Sequence, residues 1–148
     1  MPLTVMNIVL ADDDADDRFL FDEAISELDI KTKLSLFNDG KALMDYLLLP
    51  NTVLPEIVFL DLNMPIKNGM QCLKEIRAHN NLKELCVVIY STSSSEEDIE
   101  NTFINGANVY INKPNSFTAL KKAIDKVLKI NWQYHTSALN RDNFLLRI

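Results

Sequence analysis

The sequence predicts an α/β fold in which five parallel strands form one sheet with helices on both of its faces. Short apolar runs alternate with helical patterns five times along the chain, and the connections between them are short. Strands and helices that alternate in this way form parallel sheets through right-handed crossovers. A length of 148 residues, with 47% hydrophobic and 24% charged residues, suits one domain with a substantial core.

Five apolar runs predict the strands. The run at residues 57–60, Ile-Val-Phe-Leu, is apolar at every position, which is typical of a strand buried on both faces. The other strands are predicted for residues 7–11, 33–37, 86–90 and 109–111.

Apolar residues at helical spacing predict a helix after each strand. The first helix is expected over residues 15–28 and the second around residues 42–47. Asn68-Gly69 opens the third helix, and the fourth ends near Asn105-Gly106, a favourable C-terminal pair. The fifth helix, over residues 117–128, has the clearest apolar face in the chain.

Acidic residues follow the first strand directly, as Asp12-Asp13-Asp14, and continue at Asp16-Asp17. The later acids suit a helix N-terminus, where carboxylates accept hydrogen bonds from free N–H groups and meet the positive end of the helix dipole. Capping does not explain Asp12 and Asp13, because both fall before the helix begins.

Polar side chains follow four of the five predicted strands. The carboxyl ends of parallel strands share one edge of the sheet, and ligands bind at that edge in open α/β folds. We therefore expect these side chains to lie close together. The set comprises Asp12 and Asp13, Asp61, Ser91 with Thr92 beside it, and Lys113 followed by Pro114.

The three carboxylates in this set predict a metal site. Clustered carboxylates repel one another unless a positive charge lies among them, and oxygen ligands suit Mg²⁺ (or Mn²⁺). We expect Asp13, Asp61 and the backbone carbonyl of Asn63 to bind the metal directly, and Asp12 to act through a bound water. Lys113 supplies a second positive charge beside Asp61.

A carboxylate between a metal and a lysine is suited to accepting a phosphoryl group. Asp61 would attack phosphorus as the nucleophile and form an acyl phosphate. The two cations would neutralise the phosphoryl oxygens, which is most of what phosphoryl transfer requires of a protein. The Ser91 hydroxyl could hydrogen-bond a phosphate oxygen, while Pro65 and Gly69 shape the loop that leads into the third helix.

These motifs resemble those of the receiver domains of two-component response regulators, of the flavodoxin-like chemotaxis type. The resemblance covers residues 7–128. It rests on Asp12-Asp13 after the first strand, on Asp61 in Leu-Asp-Leu-Asn-Met-Pro, on Ser91 and on Lys113-Pro114, in that order. It implies the strand order 2-1-3-4-5. The chain is most similar to small stand-alone receivers that partner histidine kinases, including phytochrome-type kinases.

The resemblance also implies a role for each matched residue. Asp61 is expected to be the phosphoacceptor, Ser91 the switch hydroxyl with Thr92 as its alternative, and Lys113 the family's lysine. Tyr110 falls on the family's aromatic switch position, and the Lys113–Pro114 bond is expected to be cis. The acidic pair could also be placed at Asp13-Asp14; we favour Asp12-Asp13, because the pair should follow the strand directly.

The resemblance divides the chain into a receiver domain at residues 5–130 and a C-terminal extension at residues 131–148, with no separate output domain. The extension carries much apolar weight, which favours packing on the domain or a homodimer contact over a membrane anchor. A homodimer could also form through the surface of the fourth helix and fifth strand. The apolar residues of the extension include Trp132, Tyr134, Phe144, Leu145, Leu146 and Ile148.

Composition and charge argue against several other classes of function. The net charge of −6 and the lack of a basic cluster disfavour direct nucleic-acid binding. We find no signal peptide and no apolar stretch near the ~20 residues that span a bilayer, so membrane insertion is not expected and a cytoplasmic location is. Cys72 and Cys86 are expected to be reduced core residues.

Two alternatives concern the use of the site. An independent metabolic enzyme is not expected, because phosphatases of the haloacid dehalogenase type need an acid two positions after the nucleophile, where this chain has Asn63. A degenerate receiver that acts only as a phosphorylation-independent interaction module is the main alternative. The expected function is therefore a response regulator that receives phosphate from a histidine kinase or phosphotransfer protein. It would then switch the surface near the fourth helix and fifth strand to bind a downstream protein.

Overall fold

Strands and helices alternate strictly in the structure, a computed structural model that describes residues 5–130 and 144–145. The strands are β1 (Met6–Ala11), β2 (Thr32–Phe37), β3 (Ile57–Leu60), β4 (Cys86–Ser91) and β5 (Val109–Asn112). The helices are α1 (Ala15–Ser26), α2 (Gly40–Leu47), α3 (Gly69–Ala78), α4 (Glu96–Ile104) and α5 (Phe117–Leu128). All strand pairs are parallel, in the order β2-β1-β3-β4-β5. The predicted fold is confirmed.

The sheet separates two apolar cores, and alternate residues of each strand enter one or the other. In β3, Val58 and Leu60 pack with α2, α3 and α4, whereas Ile57 and Phe59 pack with α1 and α5. All four residues are at most 1% exposed. A strand with helices over both faces has no solvent side, which is why the sequence of β3 is apolar throughout.

Each helix begins shortly after the carboxyl end of a strand, with a side chain that caps its free N–H groups. The five capping residues are Asp14, Asp39, Asn68, Ser95 and Ser116. The helix N-termini, with their partial positive charge, therefore lie at the edge of the sheet where the strands end. The helix bounds follow the predictions closely, except that α1 ends at Ser26, where the Glu27 N–H bonds the Ala24 carbonyl in a tightened last turn.

The two cysteines lie in the core as free thiols, as predicted. Burial raises the pKa of the Cys72 and Cys86 thiols to about 12, so neither is a reactive thiolate at neutral pH. Among the described residues, no helix has both the length and the apolar character needed to cross a membrane.

The connection from β3 to α3 passes very close to the backbone of Asp61. The Gly69 N–H donates to the Leu62 carbonyl at 3.0 Å, which closes the loop onto the strand end. A Cβ atom added to Gly69 would overlap the Asp61 carbonyl oxygen, so only glycine fits there without a backbone shift. Pro65 lies at the exposed tip of the loop, followed by Ile66 with a φ of 68°.

Substitution Gly69→Ala should therefore destabilise the fold. The added methyl group meets backbone, which cannot rotate away, and overpacking of this kind costs about 1–3 kcal/mol. Urea unfolding followed by circular dichroism measures the loss. Lys74→Ala, at an exposed position of the same helix, is the control and should change stability by no more than about 0.5 kcal/mol. An unchanged midpoint for Gly69→Ala would contradict the close contact.

Candidate functional site

Three carboxylates meet at the edge where β1 and β3 end. Asp12, Asp13 and Asp61 each place one oxygen so that all three oxygens lie within 4.8 Å of one another. Asp12 is fully buried and Asp61 is 5% exposed, whereas Asp13 is exposed. Within residues 5–130 and 144–145, this is the one cluster of acid, histidine or cysteine ligands suited to a metal ion.

Lys113 extends from the end of β5 into this cluster. Its Nζ lies 2.8 Å from Asp12 Oδ2, 2.8 Å from Asp17 Oδ2 and 3.4 Å from Asp61 Oδ2. The side chain is only 8% exposed, so solvent screens these contacts weakly. The ammonium group also lies 5.2 Å from the centre of the Tyr90 ring, within the range of a cation–π contact.

Burial and charge shift the ionisation of both central groups. Burial is the main cause that raises the pKa of Asp61 to about 6; Lys113 partly offsets this shift and Asp12 adds to it. For Lys113, burial alone would lower the pKa. The hydrogen bonds and charges of Asp12 and Asp17, with the charge of Asp61, outweigh burial and raise that pKa above its usual range.

The run of acids after β1 divides into two local roles. Asp14 is the N-cap of α1, because its side chain accepts hydrogen bonds from the N–H groups of Asp16 and Asp17 at 2.9 and 3.0 Å. Asp12 and Asp13 precede the helix and lie at the cluster, the arrangement that the favoured register predicts. Asp12 is held in place by the Asp14 N–H, which donates to its Oδ1 at 2.9 Å.

The hydroxyl side of the site is the loop from β4 to α4. Ser91 is fully buried, and its Oγ accepts a hydrogen bond from the Ser93 N–H at 3.1 Å. The Ser93 carbonyl accepts from the Tyr110 hydroxyl at 2.8 Å and from the Asn112 side chain at 2.9 Å. Thr92 is exposed. Tyr110 is fully buried, and its hydroxyl bond to Ser93 connects the loop to β5.

One expectation about the backbone is wrong. The described residues contain no cis peptide bond, so the Lys113–Pro114 bond is trans. An X–Pro bond favours trans by only about 0.5–1 kcal/mol, so local context selects the isomer. Here the trans bond still allows Lys113 to reach all three of its carboxylate partners.

The sequence reasoning did not find two contacts of Lys113. Asp17 was interpreted as an acid of the first helical turn, yet its carboxylate lies as close to Lys113 as that of Asp12. Its position in the first turn of α1, next to the end of β1, was a usable signal. Tyr90 precedes Ser91 in β4 and was predicted only as the last residue of a buried strand; nothing local marks it as a contact of Lys113.

The residues at the site fit a hard divalent cation. Buried acceptors are normally satisfied by hydrogen bonds. Asp12 Oδ2 is buried and pairs with the Lys113 ammonium at 2.8 Å, and among the described residues no other donor reaches it. This oxygen therefore has acceptor capacity to spare beside two other carboxylates. The Asn63 N–H is 3.4 Å from Asp61 Oδ1, and the structure does not test a role for the Asn63 carbonyl.

A separate cavity of about 580 Å³ lies away from the acids, lined by residues of the α2–β3 and α3–β4 connections such as Leu48, Pro50 and His79. It contains no cluster of ionisable groups. The acidic cluster is thus identified as the candidate functional site by its charged groups, and it does not coincide with this cavity.

Comparison with known proteins assigns the family. The sequence model of the response regulator receiver domain family matches residues 8–125. The chain belongs to the response regulator receiver domain family. A probable methanogenesis regulatory protein, FilR2 of Methanothrix harundinacea, is 32% identical over 123 residues, which cover 81% of this chain and 79% of that protein. Response regulator Rcp1 of Synechocystis is 31% identical over 124 residues, covering 81% and 84%.

Solved receiver structures share the fold. The Mn²⁺-bound form of Rcp1 has a TM-score of 0.75 at 30% identity, covering 82% of this chain and 91% of that one. The phosphorylated cyanobacterial phytochrome response regulator RcpA has a TM-score of 0.78 at 28% identity, covering 93% and 98%. Receiver domains are signalling proteins that work with histidine kinases or phosphotransfer proteins and bind Mg²⁺ or Mn²⁺ at an acidic pocket.

The raised pKa of Asp61 predicts that Asp61→Asn stabilises the metal-free protein near neutral pH. The carboxyl binds its proton more tightly when folded, with a pKa of about 6 against 3.8. Folding stability is therefore greatest below the lower value and is lost as the pH rises through the higher one. Asparagine avoids this loss, which at 1.36 kcal/mol per pKa unit amounts to about 1–3 kcal/mol.

Urea unfolding in a chelator, near neutral pH and near pH 4, measures this effect. The gain from Asp61→Asn should be larger near neutral pH. Asp22→Asn, at an exposed position of α1, should show no such difference and serves as the control. A gain that is the same at both pH values would show that the ionisation of Asp61 is not shifted.

Proposed function

We propose that this chain is a single-domain response regulator whose Asp61 accepts a phosphoryl group from a histidine kinase or phosphotransfer protein in a Mg²⁺-dependent reaction. One observation carries the proposal: Asp61 lies both in a cluster with Asp12 and Asp13 and 3.4 Å from the Lys113 ammonium. The Mn²⁺-bound Rcp1 and the phosphorylated RcpA show that relatives of this fold bind the metal and carry the phosphate.

The chemistry follows from the groups around Asp61. A carboxylate oxygen of Asp61 attacks phosphorus, the bond from phosphorus to the donor histidine nitrogen breaks, and an acyl phosphate forms. Lys113 pairs with a phosphoryl oxygen and moves away from Asp61 as it does so. Asp12, Asp13, Asp61 and the Asn63 carbonyl would hold Mg²⁺ (or Mn²⁺), which when bound neutralises the charge on the phosphoryl oxygens.

Ser91 and Tyr110 carry the signal in this proposal, and Thr92 is the alternative hydroxyl. The Ser91 Oγ would leave the Ser93 N–H to bind a phosphate oxygen, which shifts the β4–α4 loop. The Tyr110 hydroxyl is bonded to the same loop at Ser93, so the surface of α4 and β5 changes with it. A downstream protein reads that surface. Pro65 and Gly69 keep the loop after Asp61 in shape.

We further propose that residues 5–130 form the receiver domain and that residues 131–148 form a C-terminal extension to it. Of the extension, only Phe144 and Leu145 are among the described residues, so the predicted packing of Trp132, Tyr134, Leu146 and Ile148 lies outside them. The protein would act in the cytoplasm without binding nucleic acid or inserting into a membrane. The chain would also be able to form a homodimer, through the extension or through α4 and β5.

The alternative, a degenerate interaction module, is disfavoured by the completeness of the site. A module that no longer accepts phosphate has no need for three acids, a buried hydroxyl and a buried lysine together. Buried charges are costly to retain without a use. All five groups are present, at Asp12, Asp13, Asp61, Ser91 and Lys113.

Incubation with Mg²⁺ and a small phosphodonor, followed by intact mass, tests the proposal. The wild-type chain should gain one phosphoryl group, and Asp61→Asn should gain none. Asp22→Asn, at an exposed position outside the cluster, is the matched control and should be modified like the wild type. The degenerate module is correct, and our proposal wrong, if the wild type forms no adduct while binding no Mg²⁺.

Asp13→Asn should weaken Mg²⁺ binding by about tenfold or more. Even groups that only hydrogen-bond to a metal ligand change metal affinity by about tenfold or more when they are mutated. Asp16→Asn is the control: it is also an exposed acid after β1, but it lies outside the cluster. Titration calorimetry with Mg²⁺ gives both affinities. Equal affinities for the two variants would remove Asp13 from the metal site.

Lys113→Ala should retain slow phosphorylation of Asp61 but lose the change at α4 and β5, because no ammonium group at the end of β5 then pairs with a phosphoryl oxygen. Hydrogen exchange of α4 and β5, with and without phosphodonor, reports the change. Lys122→Ala, at an exposed position of α5, provides the comparison. A full exchange response in Lys113→Ala would contradict the assignment.

A further inference from the structure

Phe144 is buried against the surface formed by α4 and β5. It is 1% exposed, although the surrounding stretch follows the five units of the fold. Its ring lies 5.3 Å from the Phe103 ring of α4 and 6.1 Å from the Tyr110 ring of β5, edge-to-face in both cases. Such aromatic pairs add to the stabilisation that burial provides. The contact with Tyr110 joins this residue to the proposed switch.

The neighbouring residue, Leu145, pairs with the backbone of β5. It forms a parallel bridge with Tyr110 on the side of β5 that has no other strand, since β5 ends the sheet. The bridge joins a single residue pair, and the helical residue before it, Phe144, supplies the buried side chain. The segment is therefore held by an aromatic anchor and by one backbone contact at the sheet edge.

We infer that the α4–β5 face, formed by Phe103, Tyr110 and the outer edge of β5, is blocked by the chain's own C-terminal extension and opens to a downstream protein only when that segment leaves. The chain fills the face itself with Phe144 and Leu145. A downstream protein that binds this face does so only by displacing them.

Occupation by the same chain sets a threshold for the partner. A tethered segment competes at an effective concentration in the millimolar range. A free partner at a lower concentration is excluded unless its own segment binds more tightly or the tethered one is weakened. The face is therefore closed to weak partners by default.

The docked segment also lies close to the phosphorylation switch, and this part of the inference rests on the proposed function. Phe144 touches Tyr110, the Tyr110 hydroxyl bonds the Ser93 carbonyl, and the Ser93 N–H bonds the Ser91 Oγ. Drawing Ser91 toward a phosphate breaks the last of these bonds. The loop then no longer holds Tyr110 in the position that Phe144 packs against, so docking is weakened.

Peptide binding tests the docking site in the full-length chain. The probe is a fluorescent peptide with the sequence of residues 140–148, Asn-Arg-Asp-Asn-Phe-Leu-Leu-Arg-Ile. Phe144→Ala should bind it at least about tenfold more tightly than the wild type, because its own segment no longer competes. The same peptide with alanine in place of phenylalanine should not bind. Equal binding by wild type and Phe144→Ala, or no binding by folded Phe144→Ala, overturns the inference.

Matched variants locate the peptide on the face. Ile104→Ala, at an exposed position of α4, should behave like the wild type, and Phe103→Ala combined with Phe144→Ala should lose the peptide. If Phe144→Ala does not fold, Leu145→Asp replaces it, since Leu145 is only half-buried. A wild-type dimer in light scattering that dissociates in Phe144→Ala would instead place the segment of a second copy on the face and overturn occupation in cis.

Beryllofluoride with Mg²⁺ tests the link to phosphorylation separately. It should weaken peptide binding to Phe144→Ala by at least about fivefold, and have no effect when Asp61→Asn is added. An adduct at Asp61 without any change in peptide affinity would overturn the link and leave the proposed function intact. Peptide binding without any adduct at Asp61 would reject the proposed function and leave the docking site intact.

Discussion

A single ammonium group pairs with three of the acids at the carboxyl edge of the sheet. Lys113 is within 3.4 Å of carboxylates from β1, α1 and β3, all on chain segments distant from its own. Without it, Asp12 and Asp61 would be two buried like charges, and removing one partner of a buried charge group is strongly destabilising. The parallel ladders place β1, β3 and β5 in the sheet, and Lys113 joins the acids at their ends. The same ammonium group is the one that an arriving anion would engage.

The fold could be predicted because its local signals agree with its tertiary contacts. β3 is apolar at every position, and the structure buries both of its faces. The start of α3 could be predicted because Asn68 is a strong capping residue, and it caps that helix in the structure. The exact helix ends were less predictable: the end of α1 depends on how its last turn tightens, and no residue type near Ser26 marks it.

The site could be predicted to the extent that it depends on strand ends. Asp12, Asp13 and Asp61 follow strands directly, and parallel packing alone brings them together. The contact of Asp17 with Lys113 was missed because an acid in the first turn of a helix is already explained by the helix dipole. The prediction of a cis Lys113–Pro114 bond was wrong. The cis and trans isomers of an X–Pro bond are close in free energy, so tertiary contacts that the sequence does not reveal decide between them.

The bridge between Tyr110 and Leu145 has a second consequence, for the solution behaviour of the protein. The outer side of an end strand presents unpaired N–H and C=O groups that can template pairing with other chains and so lead to aggregation. β5 is short and apolar, with Val109, Tyr110 and Ile111 all buried, and is therefore a poor strand to leave uncovered. By pairing with Tyr110 in the middle of this edge, Leu145 stands in the way of a sixth strand from another molecule, so the contact on the α4–β5 face also favours solubility.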